Sequence, residues 1–410
     1  MNNQMNLVAG LDIGNGYVKG LTMGTGDDSK GIDLCSSVAR VTDSSNIKKE
    51  GAAIPGFMKD LLNNMDVKFD SPLVKNGDRW LFGARGLASG KDAKEFDVNG
   101  MMSKAQQELS AILVLGCAAG RALEDYYEVN NTLPTDILNV HIFAALALPI
   151  DEYRDYREMY AEGFKKDSHI VSFCDFEPMV RVRLFFDDVR VLPEGGSANY
   201  AITEMGREFV DHMLDDAKKM NPRLGGVTSE QILRATNTLG IDIGEGTVNF
   251  PVFVDGEFNP DVSMTLDKGY GNVLRNALTA LRKAKQPFPS RKTLANFLVK
   301  GPNEWNGAKY NLVKEIVDRE IDGFVEMVRY TLSDMLDKTS AYTQVIYVYG
   351  GGSGPVRDKL YPVLLEAAES FGGLPVFYLD ATYSRKLNRE GLFIVADAQA
   401  QAAGFIPGMC

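Results

Sequence analysis

Apolar and polar residues alternate from Leu7 to Ile13, stop over Gly14-Asn15-Gly16, and resume from Tyr17 to Met23. Period two on both sides of a glycine-flanked turn predicts a β-hairpin. Between 31 and 100 the pattern weakens among Gly, Asp, Lys and Ser, which predicts a small inserted lobe. Helical spacing returns over Ser103–Val129, with Ser103 as a cap and Gln106 at the capping-box position. Asn139–Leu148 reads as a buried strand stopped by Pro149, and Met179–Leu192 alternates in two pieces, predicting a strand pair.

The second half repeats this grammar. LPEGGSANYAI, from Leu192, reads as a strand-to-helix junction, with a helix running to about Met220. Residues 221–238 read as an insertion, and Leu239–Phe258 as a second hairpin whose outer turn is Asp255-Gly256. A helix over about Asn272–Lys285, a Pro-broken stretch and a long helix over about Tyr310–Lys338 follow. An apolar strand then meets a glycine run, with a helix from near Pro355, a strand at Val376–Leu379 and a terminal helix from Arg389 to about Ala403. Strands and helices alternate in both halves, so the class is α/β.

A chain of 410 residues exceeds what one core supports, so two lobes are expected. The net charge is −11, and Lys and Arg read as dispersed among more numerous acids. Direct binding to nucleic acid or anionic lipid is therefore not expected. Cys35, Cys117, Cys174 and Cys410 show no C-x-x-C spacing, and His141, His169 and His212 show no metal-ligand spacing. These fit incidental thiols in a reducing cytosol. No run reaches the ~18 apolar residues of a membrane span, and MNNQMNLVAG lacks the pattern of a secretory signal. A cytoplasmic protein is expected.

The candidate chemistry lies in a repeated phrase. GLDIGNGYVKG begins at Gly10 and GIDIGEGTVNF at Gly240. In each, an Asp closes a strand (Asp12, Asp242) before a turn of Gly14-Asn15-Gly16 or Gly244-Glu245-Gly246-Thr247. Glycines let backbone N–H groups approach an anion, and a carboxylate beside them can hold a hydrated Mg²⁺. Lys19 on the return strand can neutralise phosphate charge. Two ordinary type I′ hairpins are the alternative, but two copies opening two α/β halves favour the phosphate reading. Neither is a Walker A loop, because strands rather than helices follow. Gly350-Gly351-Gly352-Ser353-Gly354 joins a strand to a helix and can face a phosphate or ribose. A dinucleotide fingerprint would need Gly where Pro355 stands. Glu194 either decorates a helix dipole or, facing a cleft, orients a water for attack on a γ-phosphate.

With these parts in this order the sequence resembles the actin/Hsp70/sugar-kinase superfamily and, within it, the bacterial ParM-type actins that segregate plasmids. The resemblance implies two lobes, each built on a mixed β-sheet with flanking helices, and a nucleotide in the interlobe cleft. The lobes would be 1–196, with a small subdomain at about 37–100, and 197–384, with an insertion at about 269–321. Residues 385–410 would return to the first lobe as a helix. The resemblance further implies ATP, or GTP in its place, with Mg²⁺ held by Asp12 and Asp242 and phosphate contacted by Lys19. Glu194 would position the hydrolytic water, with Asp242 as its catalytic companion. Gly350, Gly351, Gly352 and Ser353 would lie under the adenosine. The implied activity is ATP hydrolysis controlling a homopolymeric filament, linked to DNA by a separate adaptor. Asn249 stands where many relatives carry Asp, and 206–238 is longer than expected. A small-molecule kinase, a chaperone and a membrane-bound shape-determining actin are the rival readings.

Overall fold

β1 (Gln4–Ile13) is buried on both faces, and its alternation sorts side chains between two cores. Met5, Leu7, Ala9, Leu11 and Ile13 join one cluster, while Val8 joins the other. The strand Leu138–Leu148 splits the same way, as a period of two requires. The computed structural model describes residues 3–26, 28–41, 48–75, 77–91, 93–97 and 102–409. Cys410 lies outside them, as do parts of the expected 37–100 subdomain.

The chain divides into two compact units, residues 1–201 with 388–410, and residues 202–387. The first unit contains β1, β2 (Tyr17–Met23), β3 (Lys30–Cys35), β4 (Val38–Val41), β5 (Asp66–Asp70), β6 (Arg79–Phe82), β7 (Ala93–Lys94), β8 (Leu138–Leu148), β9 (His169–Phe173) and β10 (Val180–Pro193). They form one sheet in the order β3-β2-β1-β8-β10-β9-β5-β6-β4-β7, and Gly408–Met409 pairs with β1. β1, β8 and β10 run parallel, so their carboxyl ends lie side by side. The helix Glu108–Asn130 is buried from Leu109 to Tyr126 and packs into the first core cluster. On the second cluster, Leu392, Ala396 and Ala400 of the helix Leu387–Ala402 meet Val8, Phe143, Ala145 and Ala147. A Cβ at Gly10 would lie 2.2 Å from the Phe393 nitrogen, so only glycine admits this approach.

The expected strand pair at 179–192 is one strand. A register shift between Phe186 and Asp188 inverts the alternation midway, which is why the sequence reads as two pieces. The long helix starts at Glu108 rather than at Ser103. Lys104–Gln106 forms a separate 3-10 turn, and Gln107 is extended. The weakly periodic region beyond residue 31 supplies β3 to β7, which extend both edges of the sheet.

The second unit holds β11 (Thr238–Ile243), β12 (Val248–Phe250), β13 (Val252–Val254), β14 (Glu257–Phe258), β15 (Met264–Leu266), β16 (Val345–Tyr349) and β17 (Val376–Tyr378). β11 pairs in parallel with β16, and β16 with β17. Helices Tyr270–Lys283, Gly307–Thr339 and Ser353–Glu369 cover this sheet around one apolar cluster. The Pro-broken stretch contains a helix, Arg291–Lys300, whose Ser290 Oγ accepts the Thr293 N–H at 3.2 Å. Residues 206–238 are folded in: the helix Gly206–Met220 buries Phe209, Val210, Met213, Leu214 and Ala217.

Candidate functional site

The first turn follows β1 directly. Gly14 N–H donates to the Tyr17 carbonyl at 3.1 Å, which places Asp12 opposite Lys19 across the hairpin. The Gly16 carbonyl accepts the Ser36 N–H at 3.0 Å. β10 continues its pairing with β8 one residue further, as Glu194 N–H donates to the Leu148 carbonyl at 2.7 Å. Asp12 and Glu194 therefore stand at the carboxyl ends of parallel strands, where open α/β sheets place their ligands. Gly195, at φ 79°, turns the chain into the helix Ser197–Glu204.

Between them lies a residue that the sequence reading missed. Lys104 is 4% exposed, and its Nζ donates to Glu194 Oε1. Glu152 holds it there: its carboxylate oxygens accept the Lys104 N–H at 2.9 Å and the Ala105 N–H at 3.2 Å. Burial works against the Lys104 ammonium, but Glu194 and Asp12 outweigh it and keep its pKa above the usual lysine value. For Asp12 burial dominates and raises the pKa, opposed by Lys19 and assisted by Glu194. The sequence signal for Lys104 was faint: a lone Lys inside a capping box, where its burial is not legible.

The second turn repeats the first in backbone, as Gly244 N–H donates to the Thr247 carbonyl at 2.9 Å. Its surroundings differ. The Gly246, Gly244 and Glu245 carbonyls accept the N–H groups of Gly269, Tyr270 and Gly271 at 2.9, 3.0 and 2.8 Å. Asp242 is 5% exposed and pairs in register with Tyr349. Gly350, at φ 98°, lies so close that a Cβ there would be 2.2 Å from Asp242 Oδ1. Gly352 N–H then donates to the Ile243 carbonyl at 2.7 Å, tying the glycine run to the strand that carries Asp242.

Two expected residues have partners within the fold. Ser353 is fully buried, with both its N–H and its Oγ directed to the Gly350 carbonyl at 3.2 and 2.9 Å. It shapes the loop. The Glu245 carboxylate is held by Arg291 Nη1 at 3.0 Å. Asn249, in the place of a third carboxylate, accepts from Thr265 Oγ1 at 2.8 Å and is buried. Gly351 is exposed at the head of the helix Ser353–Glu369. The first unit thus gathers Asp12, Gly14, Asn15, Gly16, Lys19 and Glu194 at one sheet end. The second gathers Asp242, Gly244–Thr247 and Gly350–Gly352 at another.

Residues 240–361 match the family model of the archaeal actin homologue MreB-like, C-terminal. That span opens on the second turn and closes beyond the glycine run. Among solved structures, the archaeal actin homologue Ta0583 superposes with a TM-score of 0.63 at 14% identity, covering 96% of this chain and 99% of its own. The actin-like protein Alp7A gives 0.66 at 15% identity, with 98% of each chain covered. ParM of Bacillus thuringiensis with ADP gives 0.60 at 17%, covering 97% and 99%. This chain has the actin-like ATPase fold. ParM has also been solved with ATP and with AMPPNP. No curated protein matches the chain.

Each unit by itself offers groups that suit a Mg-nucleotide. Asp12 and Asp242 offer hard carboxylate oxygens, and both turns have carbonyls engaged by the backbone, leaving amides as the groups to offer an anion. Among the described residues no cluster of three His, Cys, Asp or Glu could hold a metal by itself. Mg²⁺ does not require one, since it keeps waters and takes phosphate oxygens. No helix among the described residues is long and apolar enough to cross a membrane. Cys117 is buried, its thiol pushed up to about 12 by that burial, which leaves it inert.

One sequence expectation needs correcting. Basic residues are not evenly dispersed: from Arg282 to Lys309 the chain carries seven Lys or Arg and a single acid, Glu304. The acidic total of the whole chain hid this run.

Proposed function

We propose that the chain is an ATP-dependent, filament-forming actin-like protein whose polymer is controlled by hydrolysis. The observation that carries this reading is the Asp12–Lys19–Lys104–Glu194 cluster at the ends of parallel strands, matched by a second Asp turn under a glycine run. Asp12 and Asp242 would hold Mg²⁺, which supplies charge neutralisation to the phosphates. Lys19 and the turn amides bind phosphate oxygens, and the Gly350–Gly352 run carries the nucleoside. Glu194, fixed by Lys104, orients the attacking water and accepts its proton at a carboxylate oxygen.

Similarity to ParM-type actins supports a role in plasmid segregation, with self as the polymer partner and a separate adaptor as the DNA link. The test is light scattering and electron microscopy at roughly 50 µM protein, a concentration matching about −6 kcal/mol of association. Mg-ATP is expected to raise scattering and give filaments, and ADP to leave them unstable. A protein that hydrolyses ATP while staying monomeric would turn the reading to a small-molecule kinase.

A further inference from the structure

The segment from Arg282 to Lys309 is a small helical body on an otherwise acidic chain. Its net charge is +6 where the whole chain carries −11, so all other residues sum to −17. Arg282, Lys283, Lys285, Lys292, Lys300 and Lys309 are exposed, and none has an acidic partner among the described residues. Elsewhere exposed bases are commonly paired along their helix, as Lys314 is with Asp318 and Arg319 with Glu315. The body is ordered from within. Phe297 meets Phe288 edge-on and Tyr310 at a tilt, and Lys309 lies over the two phenylalanine rings.

The body also presents large apolar side chains to solvent. Trp305 is 89% exposed and Val299 86%. The loop beneath Trp305 is held firmly: Asn303 Oδ1 accepts the N–H of Trp305 at 2.9 Å and of Asn306 at 3.0 Å, and Asn306 Oδ1 accepts the Asn303 N–H at 2.7 Å. A tryptophan displayed on an ordered loop is the residue type enriched at interface centres, and the exposed cations of the same body suit a polar, charged rim.

We propose that the Arg282–Lys309 body is a self-assembly contact that docks on the acidic surface of a second copy of this chain. The occupant follows from charge. Copies of net charge −11 repel one another, and head-to-tail association needs two different, complementary patches on each copy. This body is strongly positive, and the remainder of the chain, at −17, is the acidic surface that complements it. The body also touches the second turn through Arg291 and Glu245, so a ligand on that turn bears directly on the contact. The inference rests on the filament reading above.

The test compares the wild-type chain with Lys283→Glu/Lys285→Glu/Lys292→Glu and, separately, Trp305→Ala. Pelleting with Mg-ATP is read across protein concentration and from about 0.05 to about 0.3 M KCl, over which the screening length falls roughly 2.5-fold. The triple variant is expected to raise the critical concentration at least roughly tenfold and Trp305→Ala several-fold. Both should bind a fluorescent ATP analogue as the wild type does, and wild-type assembly should weaken with salt. If wild-type protein pellets and the triple variant pellets identically, the contact is overturned and the filament reading stands. If wild-type protein never assembles, both fall. A duplex-DNA shift at about 0.15 M salt, lost in the triple variant while pelleting is unchanged, would overturn it in favour of nucleic acid.

Discussion

Asp12 and Asp242 occupy the same place in the same motif, yet one stands among side-chain charges and the other under backbone. Around Asp12 are Lys19, Lys104 and Glu194, with Glu194 and Lys104 joined to each other. Around Asp242 are Gly350, Ile243 and Tyr349, and the turn's carbonyls are occupied by the head of the next helix. On the proposed reading, the first turn serves the proton transfer and the second serves binding. A repeated phrase thus fixes where a carboxylate stands at a strand end, and the residues brought in from elsewhere decide what it does.

This division sorts the expected mutants. The largest effect belongs to Glu194→Ala, which removes the proposed base of the first cluster. Phosphate release is expected to slow ~10²–10⁴-fold while nucleotide binding persists. A rate within twofold of wild type would return Glu194 to a helix-dipole role. Lys104→Met leaves the Glu194 carboxylate without its buried partner and should lower stability by about 3 kcal/mol in urea titration. Hydrolysis should fall with nucleotide affinity preserved; an unchanged rate would reduce Lys104 to a structural cation.

On the second turn, the effect should appear in binding and folding rather than rate. Gly350→Ala puts a Cβ against Asp242 at a positive φ and is expected to cost about 1–3 kcal/mol, with weaker Mg-nucleotide binding. Full stability and affinity in that variant would refute the tight packing of Gly350 against Asp242. The smallest effect is Asp12→Asn without nucleotide. Burial raises the Asp12 pKa, so protonation favours the fold. Stability from this group is present at low pH and lost as pH rises through the raised value. The neutral amide escapes that loss, so the variant should melt on the order of a few degrees higher at pH 7. The gap should close toward about pH 4, near the ordinary carboxylate pKa. A lower melting point at pH 7 would show the ionised carboxylate to be stabilising.

Local signals carried the turns, because an Asp followed by spaced glycines is written in consecutive residues. They carried Glu194 too, since LPEGG marks a strand end. Lys104 was not legible: it reaches Glu194 only because Glu152, from a helix after β8, holds the Lys104 backbone. The bulge in β10 produced a correct pattern with a wrong count of strands. The helix Arg291–Lys300 was signalled by Ser290 and Thr293, but the neighbouring prolines masked it. The basic body escaped notice because charge was read over the whole chain, where −11 overrides a local +6.

The proposed function requires that Mg-nucleotide binding depend on Asp12 and on Asp242. Calorimetric titration of wild-type protein, Asp12→Asn and Asp242→Asn with Mg-AMPPNP tests it most directly. The account expects one nucleotide per chain for the wild type and at least about tenfold weaker binding, or 1.4 kcal/mol, in each variant. Wild-type affinity in either variant, or two nucleotides bound per chain, would contradict it.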